Sequence, residues 1–290
     1  MTGDPGFWIV QFLHALQLSM LLFLLSVGLT VIFGLLHFVN LAHGAFYAFG
    51  AYAGYSAIRW TGSFWGGFAI APIAVAALGS ALYFSLIRGM RHSGPMNQVL
   101  ATFGLIFIFL DAFRIFWGDI ALGVEPPASL AGTVEFLGID YPAYRLFIIG
   151  LGLLIIAVLH LVLSRTQIGA IIRAGVDNGT MAGCLGINVE IVFFLVFCVG
   201  CALAGLAGAV AAPIVSISPN MGTEILIPSL IVVVIGGLGS LKGAVTGSLL
   251  VGFLQTFGAV LAPHVASMVI YALLASVLIL KPAGLFPARS

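Results

Sequence analysis

Apolar residues fall along this chain in long runs rather than in alternation. The runs cover Trp8–Leu35, Leu41–Ile58, Phe64–Leu86, Gln98–Trp117, Ala143–Leu163, Ile191–Ala212, Ile225–Leu241, Ala244–Leu261 and Val265–Leu280. A helix crosses the hydrocarbon core with roughly 20 apolar residues, so each run predicts a membrane span. The seventh is interrupted by Pro228 and by Gly236-Gly237-Leu238-Gly239, the pattern of a broken or re-entrant helix. The expected fold is all-α: a polytopic transmembrane helical bundle of eight or nine spans, forming one domain over residues 1–290.

Composition sharpens this picture. The chain is 62% hydrophobic and 7% charged, whereas a soluble domain is about a quarter charged. A net charge of +1 argues against a nucleic-acid partner. Met1–Gly6 holds no Lys or Arg, so the basic region of a signal peptide is missing and the first run reads as a span.

Charge between the runs sets the expected orientation. Arg88, Arg91 and His92 follow the third run without an acid, Arg165 and Arg173 lie in Ser164–Glu190, and Lys281 and Arg289 in the C-terminal tail. The loop Gly118–Pro142 has no Lys or Arg but holds Asp119, Glu125, Glu135 and Asp140. Basic residues favour the cytoplasmic side. The N-terminus is therefore expected outside and the C-terminus inside, with the acidic loop external; Arg59 and Arg145 are a minority against this. A re-entrant seventh segment would put Lys242, Lys281 and Arg289 outside, which favours a full crossing.

Small residues recur at a spacing of four: Gly200, Ala204, Gly208 and Ala212; Gly243 and Gly247; Gly50 and Gly54. Such faces let helices approach closely, within a subunit or across a dimer seam. Cys198 and Cys201 sit in one of these helices and read as packing residues, not as a metal or redox pair.

A search for chemistry finds none. The run Gly236–Gly243 lacks the phosphate-loop spacing, which needs Gly before Lys and Ser or Thr after it, since Lys242 stands between Leu241 and Gly243. The dinucleotide fingerprint would need a third glycine at Lys242. No catalytic residue, metal site or cofactor is expected. Asp111 and Arg114, at i, i+3, read as a structural pair. His14, Gln17 and Gln255 read as helix–helix hydrogen bonds or interfacial contacts rather than as substrate contacts. Asn40 and His43 lie where the first run hands over to the second, placed by this topology near the cytoplasmic side. Asn40 suits an N-cap there, and a polar cluster would otherwise line a pathway mouth.

Ser164–Glu190 is the longest inside segment. Ile168, Ile171 and Ile172, then Met181 and Leu185, predict two short amphipathic helices broken around Asn178-Gly179. With one Asp and two Arg, a protein partner is favoured over the lipid surface. Arg173 and Asp177 are four apart on one face, and Arg173 suits bidentate contacts at an interface.

Several stretches together resemble the branched-chain amino-acid permeases of ATP-binding-cassette importers, the LivH type. They are Gly28–Gly34, Asn40-Leu-Ala-His43-Gly44 and Gly50-Ala-Tyr52; Gly169, Arg173-Ala174, Ala182 and Gly186-Ile187-Asn188; Ala204-Gly205 and Ala207-Gly208; Gly236-Gly237-Leu-Gly239-Ser240 and Gly243; and Lys281-Pro-Ala-Gly284-Leu-Phe286. Relatives often carry an acid soon after the Asn-x-Ala-His-Gly motif, where this chain has Ala45 and Phe46. The resemblance implies a multi-pass protein of the bacterial inner membrane that pairs with a second homologous permease. Two cytoplasmic ATPases would drive it, and a periplasmic binding protein would deliver substrate. Asn40, His43, Gly44, Gly236, Gly237 and Gly239 are then pathway candidates. Arg173, Ala174, Asp177, Ala182, Gly186, Ile187 and Asn188 are candidates for coupling to an ATPase. The cargo would be branched-chain amino acids; urea, short amides and aromatic acids are alternatives, and a self-sufficient secondary transporter is the competing class.

Overall fold

The computed structural model describes residues 5–36, 38, 40–90, 93–136 and 138–286, without the side chains of Leu35, Phe136, Val176, Asp177 and Ser267. Arg91, His92 and Arg289, three of the charges used to orient the chain, lie outside the described residues.

Each apolar run forms a helix. They are α1 Pro5–Leu36, α2 His43–Thr61, α3 Phe64–Leu82, α5 Pro95–Trp117, α6 Ala143–Arg165, α9 Val189–Ala211, α10 Met221–Gly236, α11 Leu241–Leu261 and α12 Ala266–Leu280. A π-helical turn, Tyr83–Ile87, extends α3 into the short α4, Arg88–Met90. Helices arise because lipid offers backbone amides no hydrogen-bond partner. Six are long and apolar enough to cross a membrane: α1, α3 with its extension, α5, α6, α9 and α11. The seventh run is unbroken at Pro228. The predicted interruption falls instead at its end, where Gly237 and Gly239 take φ of 102° and 79°. Sixteen residues give α10 a length of about 24 Å at 1.5 Å per residue.

The 32-residue α1 is the axis of the bundle, packed by α6, α9, α10 and α11. It is apolar all round, as a helix surrounded by other helices must be. In contrast, α5 and α6 turn most of their surface outward. The small-residue faces close seams within the chain. A Cβ on Gly50 would overlap the Gly205 backbone, and one on Gly208 the Tyr47 carbonyl. Gly200 meets Gly28 and Ile32, and Gly247 meets the Val232 carbonyl. Cys201 packs on Gly79, and Cys198 lies 3.1 Å from the Ser80 hydroxyl.

The two ends of the bundle differ in charge. At one, Arg88 pairs with Glu190 at 2.5 Å, tying α4 to the start of α9. Arg165, Arg173, Lys242 and Lys281 belong to the same end, as the helix directions require. At the other end Arg145 donates to His14 Nδ1 at 2.7 Å, and the Tyr141 hydroxyl lies 3.1 Å from the same nitrogen. His14 is thus a helix-joining group, as its isolation in an apolar run suggested. The acidic loop there forms an antiparallel hairpin, β1 Thr133–Phe136 with β2 Ile139–Pro142. Its earlier part is stitched to the chain after α9 by a Leu122–Ile217 bridge. Arg114 lies 3.6 Å from Asp111 and 3.3 Å from Asp119, so the anticipated pair widens to three residues.

The seams predict a specific sensitivity. Gly50→Leu would force the α2–α9 contact apart, costing about 1–3 kcal/mol or more. Gly150→Leu, on α6, meets nothing within 4 Å. Thermal unfolding in detergent should therefore show a lowered midpoint for Gly50→Leu and an unchanged one for Gly150→Leu.

Candidate functional site

Between α1 and α2 the described residues Phe38, Asn40 and Ala42 are non-helical but buried, at 0%, 1% and 0% exposure. His43, fully buried, donates from Nε2 to the Leu25 carbonyl at 3.0 Å. That bond assigns the proton to Nε2 and leaves Nδ1 an acceptor. Leu25 lies about eleven residues before the end of α1, roughly 16 Å along its axis. The junction is therefore deep in the bundle, not near one of its ends as the topology from sequence placed it. The anticipated cap is also corrected. Ala42, with no side-chain bond, is the N-cap of α2, and the Asn40 carbonyl, not its side chain, accepts the His43 amide.

This depth makes the polar groups unusual. Both Asn40 amide atoms, His43 Nδ1, Thr30 Oγ1 and the Tyr52 hydroxyl are buried without a hydrogen-bond partner among the described residues. Each such group costs about 1–3 kcal/mol when it is left unpaired. The Leu41 amide is satisfied from another helix, by Thr102 Oγ1 at 3.2 Å. Non-helical backbone at membrane depth is tolerated only inside protein or along a cavity.

The predicted pathway residues fall into two clusters joined by α10. At its start, Gly222 and Gly44 meet backbone to backbone. At its end, Gly236 meets Gly243, while Gly34 of α1 would place a Cβ 2.5 Å from the Gly239 Cα. The C-terminal tail closes this second cluster. The Leu285 amide donates to the Ile235 carbonyl at 2.8 Å, and the Phe286 amide to the Gly236 carbonyl at 2.9 Å. Gly284, at φ 85°, sits so near Gly237 that a Cβ there would lie 2.5 Å from the Gly237 Cα. Separated stretches of sequence, around Gly34, Gly236–Gly243 and Gly284–Phe286, thus build one junction.

Clefts flank α10 on both sides. One, between α2, α5 and α10, is lined by Leu41, Ala45, Ile106, Leu110 and Leu226 among others. The other, about 340 Å³, lies between α10, α11 and α12 and contains Glu224 and Gln255. Glu224 was missed from sequence because the seventh run begins one residue later. Its only signal was a lone acid preceding a proline-containing apolar run.

The segment Ser164–Glu190 forms two helices, α7 Gln167–Asp177 and α8 Gly179–Cys184, parted at Asn178 as the pattern predicted. Thr166 caps α7, Asn178 caps α8 and Asn188 caps α9, each accepting an amide hydrogen bond. Arg173 donates to the Leu163 carbonyl near the end of α6. Ala182 is buried, and Gly186, at φ 83°, makes the turn into α9. Ala174 and Ile187 are half-buried, and the side chain of Asp177 lies outside the described residues. Most of the coupling candidates thus hold the segment in shape. The large apolar residues of the segment that turn outward are Ile168, Met181 and Leu185.

Residues 11–278 match the family described as the branched-chain amino acid transport system permease component. The chain belongs to this family. It is 26% identical to the high-affinity branched-chain amino acid permease protein BraD of Pseudomonas aeruginosa, covering 96% of this chain and 95% of the relative. Identity to the permease protein LivH of Escherichia coli K12 is 25%, with the same coverage. A probable LivH of Methanocaldococcus jannaschii is 25% identical, over 83% of this chain and 78% of the relative. No solved structure matches the chain.

The junction at Gly237 is sterically closed. Its φ of 102° suits glycine, and a β-branched residue there would be strained. Gly237→Val should abolish transport while leaving membrane insertion largely intact. Uptake assays beside membrane-fraction immunoblots would check this, and normal uptake would reduce the junction to ordinary packing.

Proposed function

We propose that this chain is the transmembrane permease subunit of an ATP-binding-cassette importer in a bacterial inner membrane, forming part of the pathway for branched-chain amino acids or related small polar solutes. The family match over residues 11–278 carries this reading. On it, a second homologous permease completes the pathway, two cytoplasmic ATPases supply the energy, and a periplasmic binding protein delivers substrate. All nine long helices are read as crossings or part-crossings, with the N-terminus outside and the C-terminus inside. The charge difference between the two ends supports that orientation.

The division of labour also fits the chain's own chemistry. The Gly236–Gly243 run is consumed in helix packing and a tail junction, with no phosphate-loop spacing. On the permease reading energy enters from a partner, and the basic end offers a surface for one. The α7–α8 elbow is capped three times and anchored by Arg173, so it is a rigid element rather than a linker. Ile168, Met181 and Leu185 project from it, 62%, 59% and 75% exposed, where a soluble partner could bury them. Arg173 contributes mainly by holding the elbow to α6. On this reading α10, which meets α2 and α11 through glycine contacts, and the buried Asn40–His43 turn, whose His43 packs on Gly28 of α1, are the parts placed to move.

Uptake should require nucleotide and co-expressed ATPases. Met181→Glu with Leu185→Glu should leave the chain inserted and paired with its sister permease. These substitutions remove two apolar contacts from the elbow and should cost at least about 2 kcal/mol of ATPase docking. Co-purification of the ATPases at wild-type yield, or uptake by the chain without them, would count against this reading and favour a secondary transporter.

Orientation has its own test. Ser129 lies exposed in the acidic loop. Ser129→Cys should react with a membrane-impermeant thiol reagent in intact spheroplasts. Labelling only after permeabilisation would invert the topology.

A further inference from the structure

Helices α10 and α11 run antiparallel, with Gly236 against Gly243 and Val232 against Gly247. Continuing that register sets Glu224 opposite Gln255, and both line the 340 Å³ cleft. Gln255 lies six residues before the end of α11, so this level is within the span rather than beyond it. Ile227, Ile231 and Ile270 supply apolar walls. The volume falls at the lower end of ligand pockets, roughly 300–1,000 Å³.

The polar groups of this cleft lack partners. Among the described residues, ion pairs join Arg88 to Glu190 and Arg114 to Asp111 and Asp119, and Glu224 takes part in none. Gln255 Oε1 is buried with no hydrogen-bond partner among them. A carboxylate facing lipid within a span is costly, and intramembrane acids face water-filled paths or cations. A carboxylate without an ion pair and a buried amide oxygen without a hydrogen-bond partner among the described residues, beside branched aliphatic walls and Tyr271, are complementary to a small aliphatic solute bearing a primary ammonium group.

We propose that this cleft is a recognition site for the ammonium group of the transported solute, with Glu224 as its counter-ion and Gln255 as a second acceptor. The ammonium donates charge-assisted hydrogen bonds to the carboxylate, and the aliphatic side chain rests on Ile227, Ile231 and Ile270. The proposal deepens the permease reading and rests on it for the identity of the ligand. An acid in the first turn of α10 also suits that helix's dipole. That purely structural role would give the cleft no preference for cationic probes.

Two measurements separate these roles. In membranes holding this chain without ATPases, Ile227→Cys is labelled with methanethiosulfonates carrying either an ammonium or a sulfonate group. The unsubstituted chain serves as control for Cys184, Cys198 and Cys201. Relative to the reagents' rates with a free thiol in solution, the cationic one should react about tenfold faster than the anionic one, as expected for a charged cleft. Millimolar leucine should slow it, and adding E224Q should bring the ratio near unity. In the complete transporter, E224Q should cut the maximal rate of leucine uptake about tenfold or more at unchanged complex yield. The proposal is overturned by wild-type uptake in the assembled E224Q complex, by I227C labelling indifferent to charge or leucine, or by no labelling at all. Uptake that needs no ATPase would strike the permease reading alone, since the charge preference is read without them.

Discussion

Inside a bilayer a backbone amide has nothing to bond to except protein, and this constraint organises the molecule. It makes the apolar runs helical, and it explains where the chain can depart from helix. The turn through Asn40 and Ala42 is enclosed by protein, and its Leu41 amide is satisfied by Thr102 on α5. At the far end of α10, the Ile235 and Gly236 carbonyls, left free by the helix terminus, accept the tail amides of Leu285 and Phe286. Both departures exist because another segment supplies the missing partner.

Close backbone contact is the second consequence. With no hydrophobic drive between helices in lipid, association depends on packing, and glycine permits the shortest approach. Helix α10 shows what this achieves. It is seated on Gly44 through Gly222 and on Gly243 through Gly236, while clefts flank it on either side. On the proposed reading, a short helix held at its two ends and open along its flanks is the element that responds to a solute on one side and a partner at the other. The elbow of α7 and α8 differs in kind. It is held by side-chain caps and by Arg173 rather than by glycine contacts, as befits a segment at the bundle's edge.

Much of this was legible in the residues. The nine helices follow the apolar runs to within a few residues, because length and hydropathy suffice to specify a span. The break at Asn178 was legible from Asn-Gly, and the role of His14 from its isolation. Other expectations failed for physical reasons. Pro228 did not break α10, since neighbouring helices hold it. Asn40 did not cap α2, because the turn carries its side chain into the core. Glu224 went unnoticed because a one-dimensional window places it in a loop, while the register of α10 against α11 brings it opposite Gln255.

The sequence by itself determined that the chain is a helical membrane protein with a basic and an acidic set of loops, since composition, run length and charge are local properties. Tertiary structure alone decided which glycines meet, how deep His43 lies, and that Gly34, Gly239 and Gly284 share one junction. Those facts depend on which helices neighbour one another and in what register. Lipid-exposed and protein-facing apolar residues look alike in a linear pattern, so no periodicity along the chain encodes that choice.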